Sequence, residues 1–522
     1  MTHIRQRIAY FFSTFSFHNF ILLAFGLPFL SEGLFLFFKQ SLLNHLYHPL
    51  YFILFFALLF LYGNFFSQIQ SNEKVFENFS LKGAFVSFAF WILLSPLFFF
   101  RFYQLMFVWR PLPPPLLSFI FLYRWKILPI IVLVYIAMLY LLYRILQAPK
   151  YLKQGKGLRE SLALSWHYTS RPFTKQLIYF FLLPLAFIVG SLFIKIGFIG
   201  LTSLLTSHSG AMCLLLLYRV SQNVLWALFF LYLAAADSQQ KTSAAPNTAS
   251  LFLLGLIVVV CLGFYGLHYN QAFKTQQLHT PVTISHRGVS NQNGVQNSVD
   301  ALRKTSTTFH PDFIEMDVQE TADHHLVVMH DEDLKALAKK NIRIDEATWE
   351  ELKEIRLKEN GYTSHIPLFA DYLAVANQLD QKLLIELKVT AKTRKSIVPQ
   401  LAPLSKQLAH HQLQSMDLDV ANQMKELFPT LKVGYILPMD VLGSPKNSLD
   451  FVNIEAKTAN EELIQYLRHR KQEVYVWSIH SEQQAAVYRF LPVSGLLTDD
   501  LSLLTANNDT ISARTASILQ FD

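Results

Sequence analysis

Apolar residues are spread along this 522-residue chain in two different ways. Up to about residue 236 they form long, nearly uninterrupted runs. A helix needs about 20 such residues to cross a bilayer, and seven runs meet that length: 17–38, 46–67, 83–103, 127–148, 177–201, 210–236 and 251–269. The segment 105–125 is also apolar but is broken by Pro111, Pro113, Pro114 and Pro115. Prolines remove backbone donors that lipid cannot replace, so this segment reads as interfacial or re-entrant. Residues 237–250 are polar and rich in small side chains, which predicts a flexible connection to the last span. The pattern therefore divides the chain into a multi-span membrane domain over 1–270 and a second domain over 271–522.

In that second part the apolar runs are short and alternate with stretches of helical period. Strand candidates are VTISH (282–286), DFIEMDV (312–318), LVVMH (326–330), KLLIELK (382–388), LQSMDL (413–418), KVGYIL (432–437), DFVNIE (450–455), EVYVWSI (473–479) and GLLTD (495–499). Helical periodicity lies between them in SVDALRKTSTTF, LFADYLAVANQL and NEELIQYLRHRK. Strands alternating with helices predict a parallel sheet, and this many units in about 250 residues favours a closed α/β barrel. Nine candidates exceed eight barrel strands. LVVMH is the odd one, because the seven residues before it are too few for a crossover helix.

Composition sharpens this division. The chain is 52% hydrophobic and 14% aromatic, with only 16% charged residues, but charges recur steadily after residue 271. The formal charge of +8 falls between apolar runs instead of forming a basic stripe. This pattern matches membrane topology, not nucleic-acid binding. Arg5 and Arg7 place the N-terminus inside. The cationic loop with Arg144, Lys150, Lys153, Lys156, Arg159, Arg171 and Lys175 follows the fourth span and is also inside. Seven crossings then put the second domain outside the cell membrane, although Arg101, Arg110, Arg124 and Lys126 in an outside loop run against the rule. Cys213 and Cys261 both lie in apolar runs and form neither a disulfide framework nor a zinc site. Glu32 and Arg219 fall within or near spans and read either as a packing pair or as a polar lining.

The candidate chemistry sits at strand ends, where barrel enzymes build their sites. These ends carry His286 with Arg287, Glu315 with Asp317, His330 with Asp331, Glu386 with Lys388, and Trp477. Residues two apart on a strand share a face, so Glu315 and Asp317 project together while Ile314, Met316 and Val318 take the other side. Carboxylates so close resist ionisation unless a cation lies between them. With Glu386 they make an oxygen-ligand set for magnesium or calcium. His286 and His330 supply a proton donor and acceptor, and Arg287 and Lys388 neutralise an anionic centre. Each residue also has an ordinary structural reading: a satisfied strand-end histidine, a solvated acidic face, or a core tryptophan.

Taken together, ISHRG (284–288), QNS (296–298), IEMDVQET (314–321), LVVMHD (326–331), LLIELK (383–388), VYVWSI (474–479) and GLLTD (495–499) resemble the glycerophosphodiester phosphodiesterase family. The resemblance covers 282–500. It implies a TIM barrel of the phospholipase C-like phosphodiesterase type, and metal-dependent hydrolysis of a glycerophosphodiester to glycerol phosphate and an alcohol. It further implies His286 and His330 as the acid/base pair, and Glu315, Asp317 and Glu386 as ligands of a divalent cation (Mg or Ca). Arg287 and Lys388 would contact phosphate, Trp477 would line the cleft, and Asn297 would make a polar contact beside it. Gln296 and Ser298 depart from the family's Glu-Asn-Thr, Ser478 replaces a threonine, and His324 and His325 occupy an expected exposed turn. An external site at a membrane surface points to lipid-derived or polyglycerophosphate substrates. The alternatives are a lysophospholipase D-like hydrolase acting on membrane lipid and a catalytically degenerate binding or sensor module.

Overall fold

The computed structural model describes residues 20–40, 48–70, 88, 92, 95, 100–113, 116, 119–120, 123–170, 182–235, 248–438, 443–505 and 510–521. In the N-terminal half, six stretches are helical, long and apolar enough to cross a membrane. They lie in helices α1 (Leu27–Gln40, preceded by a π-helical turn at Leu22–Gly26), α2 (His48–Gln70), α4 (Arg124–Ile145), α7 (Leu183–Leu201), α8 (His208–Ala235) and α9 (Thr248–Thr275). The expected span at 83–103 falls mostly outside the described residues, as do Arg5, Arg7, Arg171, Lys175 and most of the 237–250 connection. Helix α3 (Phe100–Trp109) stops two residues before Pro111, and α4 begins at Arg124, so 105–125 does not form a single span. The cationic loop after α4 folds into the short helices α5 (Ala148–Lys153) and α6 (Leu158–Tyr168), where Arg144 bonds the Thr169 and Trp166 carbonyls and lies over the Trp166 ring.

The outward faces of these helices are apolar. Trp125, Leu133, Phe193, Ile196, Phe252 and Leu267 are each more than half exposed, an apolar surface of the kind that lipid solvates. Between the helices, Arg219 pairs with Glu32 and lies over the Tyr265 ring. Helix α9 has 28 residues, about 42 Å, and so outruns a ~30 Å hydrocarbon core by some two turns. It leads directly towards the first barrel strand.

That barrel has eight parallel strands: β1 (Val282–Ser285), β2 (Phe313–Glu320), β6 (Leu383–Leu387), β7 (Gln412–Ser415), β8 (Lys432–Leu437), β9 (Phe451–Glu455), β10 (Glu473–Ile479) and β11 (Gly495–Thr498). Neighbours pair in that order, and β1 closes the ring by pairing with both β2 and β11. All nine sequence candidates are strands. The odd one, β3 (Leu326–Val328), turns back antiparallel on β2, which needs no crossover. Strand β7 begins one residue earlier and stops three residues sooner than the sequence suggests. Asp417 instead caps the following helix, accepting from the Asp419 and Val420 amides. A further hairpin, β4 (Arg356–Glu359) with β5 (Tyr362–His365), was not anticipated. Helices α10 (Val299–Phe309), α11 (Phe369–Gln378), α12 (Leu418–Leu427), α13 (Glu461–His469), α14 (Glu482–Tyr488) and α15 (Ile511–Phe521) complete the fold.

The register sorts side chains into layers. Ile314, Met316 and Val318 point out of the ring into the core beneath the helices. The lower interior is an apolar plug of Ile284, Phe313, Leu384, Phe451, Tyr475 and Leu497. Phe451 stacks on Tyr475 with ring centroids 4.7 Å apart and fills the space above Gly434, whose absent Cβ would lie 2.0 Å from the Phe451 ring. One step further along the strands, the inward positions become polar. Asp317 lies beside Glu386, Glu386 beside Gln414, and Asn453 beside Ile436.

Candidate active site

At the C-terminal rim of the ring, β2 contributes Glu315 and Asp317, and β6 contributes Glu386. One oxygen from each lies within 4.8 Å of the others, and all three residues are buried. Asp317 Oδ2 accepts a 2.8 Å hydrogen bond from Asn297 Nδ2, and the Asp317 amide donates back to Asn297 Oδ1. Asp317 Oδ1, although buried, accepts no hydrogen bond among the described residues and has only the Lys388 ammonium at 3.6 Å. Lys388 also lies 3.8 Å from Glu386 Oε1. Burial, reinforced by Asp317 and Glu386, pushes the Glu315 carboxyl well above its ordinary range. Burial likewise raises Glu386 to about 7, against the pull of Lys388. For Asp317 burial acts upward but is outweighed by Lys388, His330 and Arg287, so its carboxyl is held low. Burial disfavours the Lys388 ammonium, yet Glu386 and Asp317 more than compensate and raise it. Crowded buried carboxylates with an oxygen lacking a donor are what a hard divalent cation requires, so the residues fit such an ion.

Two histidines flank the acids, each held by an aspartate. His286 Nδ1 lies 2.7 Å from Asp499 Oδ1, and His330 Nδ1 lies 2.8 Å from Asp331 Oδ1. Both bonds use Nδ1 and leave Nε2 for the cleft. Burial lowers His330 below the usual histidine range despite the opposing bond to Asp331. The His286–Gly288 turn places Arg287 at φ 52°, in the left-handed region, with its amide donating to Glu315 Oε2 at 2.8 Å. The Arg287 guanidinium Nη1 donates to Gln296 Oε1 at 2.6 Å.

His286, Arg287, Glu315, His330, Glu386, Lys388 and Trp477 all line one cleft. Asn297 and Asp317 lie behind its wall, joined to it through their mutual bonds. The nine candidates are thus brought together. The cleft also contains residues that sequence reasoning passed over. Gln414 and Asn453 are buried, and Asn453 Nδ2 donates to Gln414 Oε1 at 3.1 Å. Asn453 Oδ1 and Trp477 Nε1 have no hydrogen-bond partner among the described residues. The available signal was a lone amide at an inward position of an otherwise apolar strand. Asp499 and Glu359 were also missed as partners. His324 and His325 are indeed exposed turn residues, paired with Glu320 and Asp323. Ser298 caps α10, accepting from the Ala301 amide at 3.2 Å.

Residues 286–503 match the model of the Glycerophosphoryl diester phosphodiesterase family. Over 246 residues, 44% of this chain and 75% of the relative, the sequence is 25% identical to glycerophosphodiester phosphodiesterase GDPD4 of Arabidopsis thaliana. Over 206 residues, 36% of this chain and 82% of the relative, it is 27% identical to a glycerophosphodiester phosphodiesterase of Bacillus altitudinis. Among solved structures, an Oleispira antarctica phosphodiesterase in complex with the product sn-glycerol-3-phosphate is similar at 18% identity and a TM-score of 0.39, covering 45% of this chain and 97% of that one.

Proposed function

Because residues 286–503 belong to the glycerophosphoryl diester phosphodiesterase family, we propose that this enzyme hydrolyses a glycerophosphodiester to glycerol phosphate and an alcohol, using the strand-end cluster and a divalent cation, Mg or Ca. The observation that carries the reading is the convergence of three mutually close buried carboxylates, two of them lining the cleft, with two aspartate-held histidines at the same cleft. Glu315, Asp317 and Glu386 would hold the cation, which when bound neutralises charge on the phosphoryl oxygens. Arg287 and Lys388 add donors to the same oxygens. One histidine takes a proton from the attacking water or hydroxyl while the other gives one to the departing alkoxide. The aspartate on each Nδ1 fixes the ring so that Nε2 handles that proton. Asn453 and Trp477 offer an acceptor and a donor to substrate hydroxyls. The apolar plug below keeps bulk water from entering beneath the site and strengthens every charge interaction above it.

The spans tie this chemistry to a membrane. The cationic loop with Lys150, Lys153, Lys156 and Arg159 supports an inside loop and an outside barrel in the cell membrane. That placement favours lipid-derived or polyglycerophosphate substrates. The test uses the full-length protein in detergent, incubated with glycerophosphocholine or polyglycerophosphate, with and without a chelator. Glycerol phosphate should be released, suppressed by the chelator and restored by Mg or Ca. Glu315→Ala and His330→Ala should each abolish release. No product from either substrate with either cation would remove the reading.

A further inference from the structure

Arg287 needs an acceptor behind its guanidinium, because a free arginine side chain would sweep several rotamers and fold back on the carboxylates beside it. The acceptor present is Gln296, a neutral amide, bonded at 2.6 Å. An amide can face either way, and with its NH2 towards Arg287 it would repel the guanidinium. Its orientation is set from the far side. Glu359 takes Gln296 Nε2 on Oε1 and the Gln296 backbone amide on Oε2, both at 2.8 Å. A carboxylate only accepts, so it forces the NH2 outward and the carbonyl oxygen onto Arg287.

Glu359 is delivered by the β4–β5 hairpin, lying outside the barrel ring. The hairpin turns through Asn360 (φ 52°) and Gly361 (φ 80°), a two-residue loop that demands left-handed backbone at both positions. Asn360 Nδ2 then donates to the Gly294 carbonyl at 3.1 Å, and Lys304 sits over the Tyr362 ring at 4.0 Å. Both contacts fasten the hairpin to the loop and helix flanking Gln296. Resting on the proposed role of Arg287 at phosphate, we propose that Glu359 is a positioning residue for Arg287, acting through the polarised amide of Gln296. The negative charge that orients the arginine thus comes from a neighbouring hairpin, one amide away.

The experiment compares five full-length variants with the wild type in kcat, KM, affinity for sn-glycerol 3-phosphate and thermal unfolding. Wild-type turnover of a glycerophosphodiester is the baseline, and its absence refutes the functional reading before the relay is addressed. Glu359→Gln preserves size and hydrogen bonding but frees the amide to flip. It should lower kcat/KM and weaken glycerol phosphate binding about tenfold. Gln296→Glu alone sets two carboxylates face to face and should also lose activity. The double swap, Gln296→Glu with Glu359→Gln, restores one acceptor towards Arg287 and one donor behind it, and should return to within about threefold of wild type. In an Arg287→Ala background, Glu359→Gln should add nothing. Wild-type kinetics in Glu359→Gln, failure of the folded swap to recover, or an additive loss without Arg287 would each overturn the relay.

Discussion

Replacing Asp499 with asparagine tests whether the paired aspartates shape the chemistry or merely decorate the rim. Asp499 Oδ1 lies 2.7 Å from His286 Nδ1, the short distance of a charge-assisted hydrogen bond. Burial opposes ionisation of Asp499, but the His286 bond and the nearby Arg287 outweigh it, so the carboxyl is held below its ordinary range and the acceptor is an anion at neutral pH. A bond to a charged partner is worth about 1.5–3 kcal/mol. Half of the Asp499 side chain is exposed, so the lower end applies. At 1.36 kcal/mol per decade, the substitution should cost about tenfold in kcat. KM should move less, because Nδ1 faces away from the cleft. The assay is steady-state release of glycerol phosphate by Asp499→Asn and Asp499→Ala between pH 5 and 9, with thermal unfolding measured alongside. Alanine should cost more than asparagine, whose carbonyl still accepts from Nδ1. Activity within twofold of wild type for Asp499→Ala would refute the assignment of His286 as a proton carrier oriented through Nδ1.

Two further predictions concern stability. The His411 ring accepts the Leu383 amide on Nδ1 at 2.9 Å and contacts Asn377 Oδ1 through Nε2 at 3.1 Å, which fixes the neutral tautomer; burial, aided by His410, lowers it to about 4. The unfolded chain binds the proton near pH 6.5 and the native state does not, so stability is complete above that pH and falls by about 3 kcal/mol as pH drops towards 4. Denaturant titrations should show this slope flattened in His411→Asn, and identical slopes would refute it. Gly434→Ala would drive a Cβ to within 2.0–2.4 Å of the Phe451 ring. Overpacking of this kind costs about 1–3 kcal/mol, seen as a lower unfolding midpoint that Phe451→Leu partly rescues.

The barrel was legible because its strands have to bury both faces, which leaves short apolar runs bounded by polar residues. The acids and histidines were legible because charge at an inward strand position has no structural reason to exist. What escaped notice was chemistry carried by ordinary-looking residues. Glu359 sits in a charged stretch, KENG, where a glutamate reads as solvated. Only the Asn-Gly pair marks the turn that swings it inward. Gln414 lay within the expected strand but is an uncharged amide two residues before Met416, with nothing along the chain to mark it as inward-facing beside Glu386. Asp499 follows the last residue of β11, 213 residues from His286, and only closure of the ring, β1 on β11, makes them neighbours. Contacts that depend on closure are invisible to spacing along the chain.

On the proposed reading, charge balance sets the order in which this site would fill. Within the cation set, three carboxylates face one ammonium and one guanidinium, so their full ionisation leaves a single net negative charge, to which the Asp331 and Asp499 carboxylates behind the histidines add. A phosphodiester is itself an anion and would be repelled from such a cleft across a distance of a few ångströms. The raised Glu315 and Glu386 carboxyls indicate the alternative open to the bare protein, which is to take up a proton and become neutral. Neutrality removes the repulsion but supplies no attraction. A divalent cation held by Glu315, Asp317 and Glu386 would take the place of that proton and bring this set of side chains to a single positive charge, complementary to the diester and to the charge that develops in its transition state. On the proposed reading, cation binding precedes substrate and releases protons. Calorimetry in buffers of different ionisation enthalpy should therefore register proton release when Mg or Ca is added to the full-length enzyme near pH 7. Diester binding should be weak until the cation is present. Equal diester affinity with and without cation would mean that Arg287 and Lys388 alone carry the phosphate.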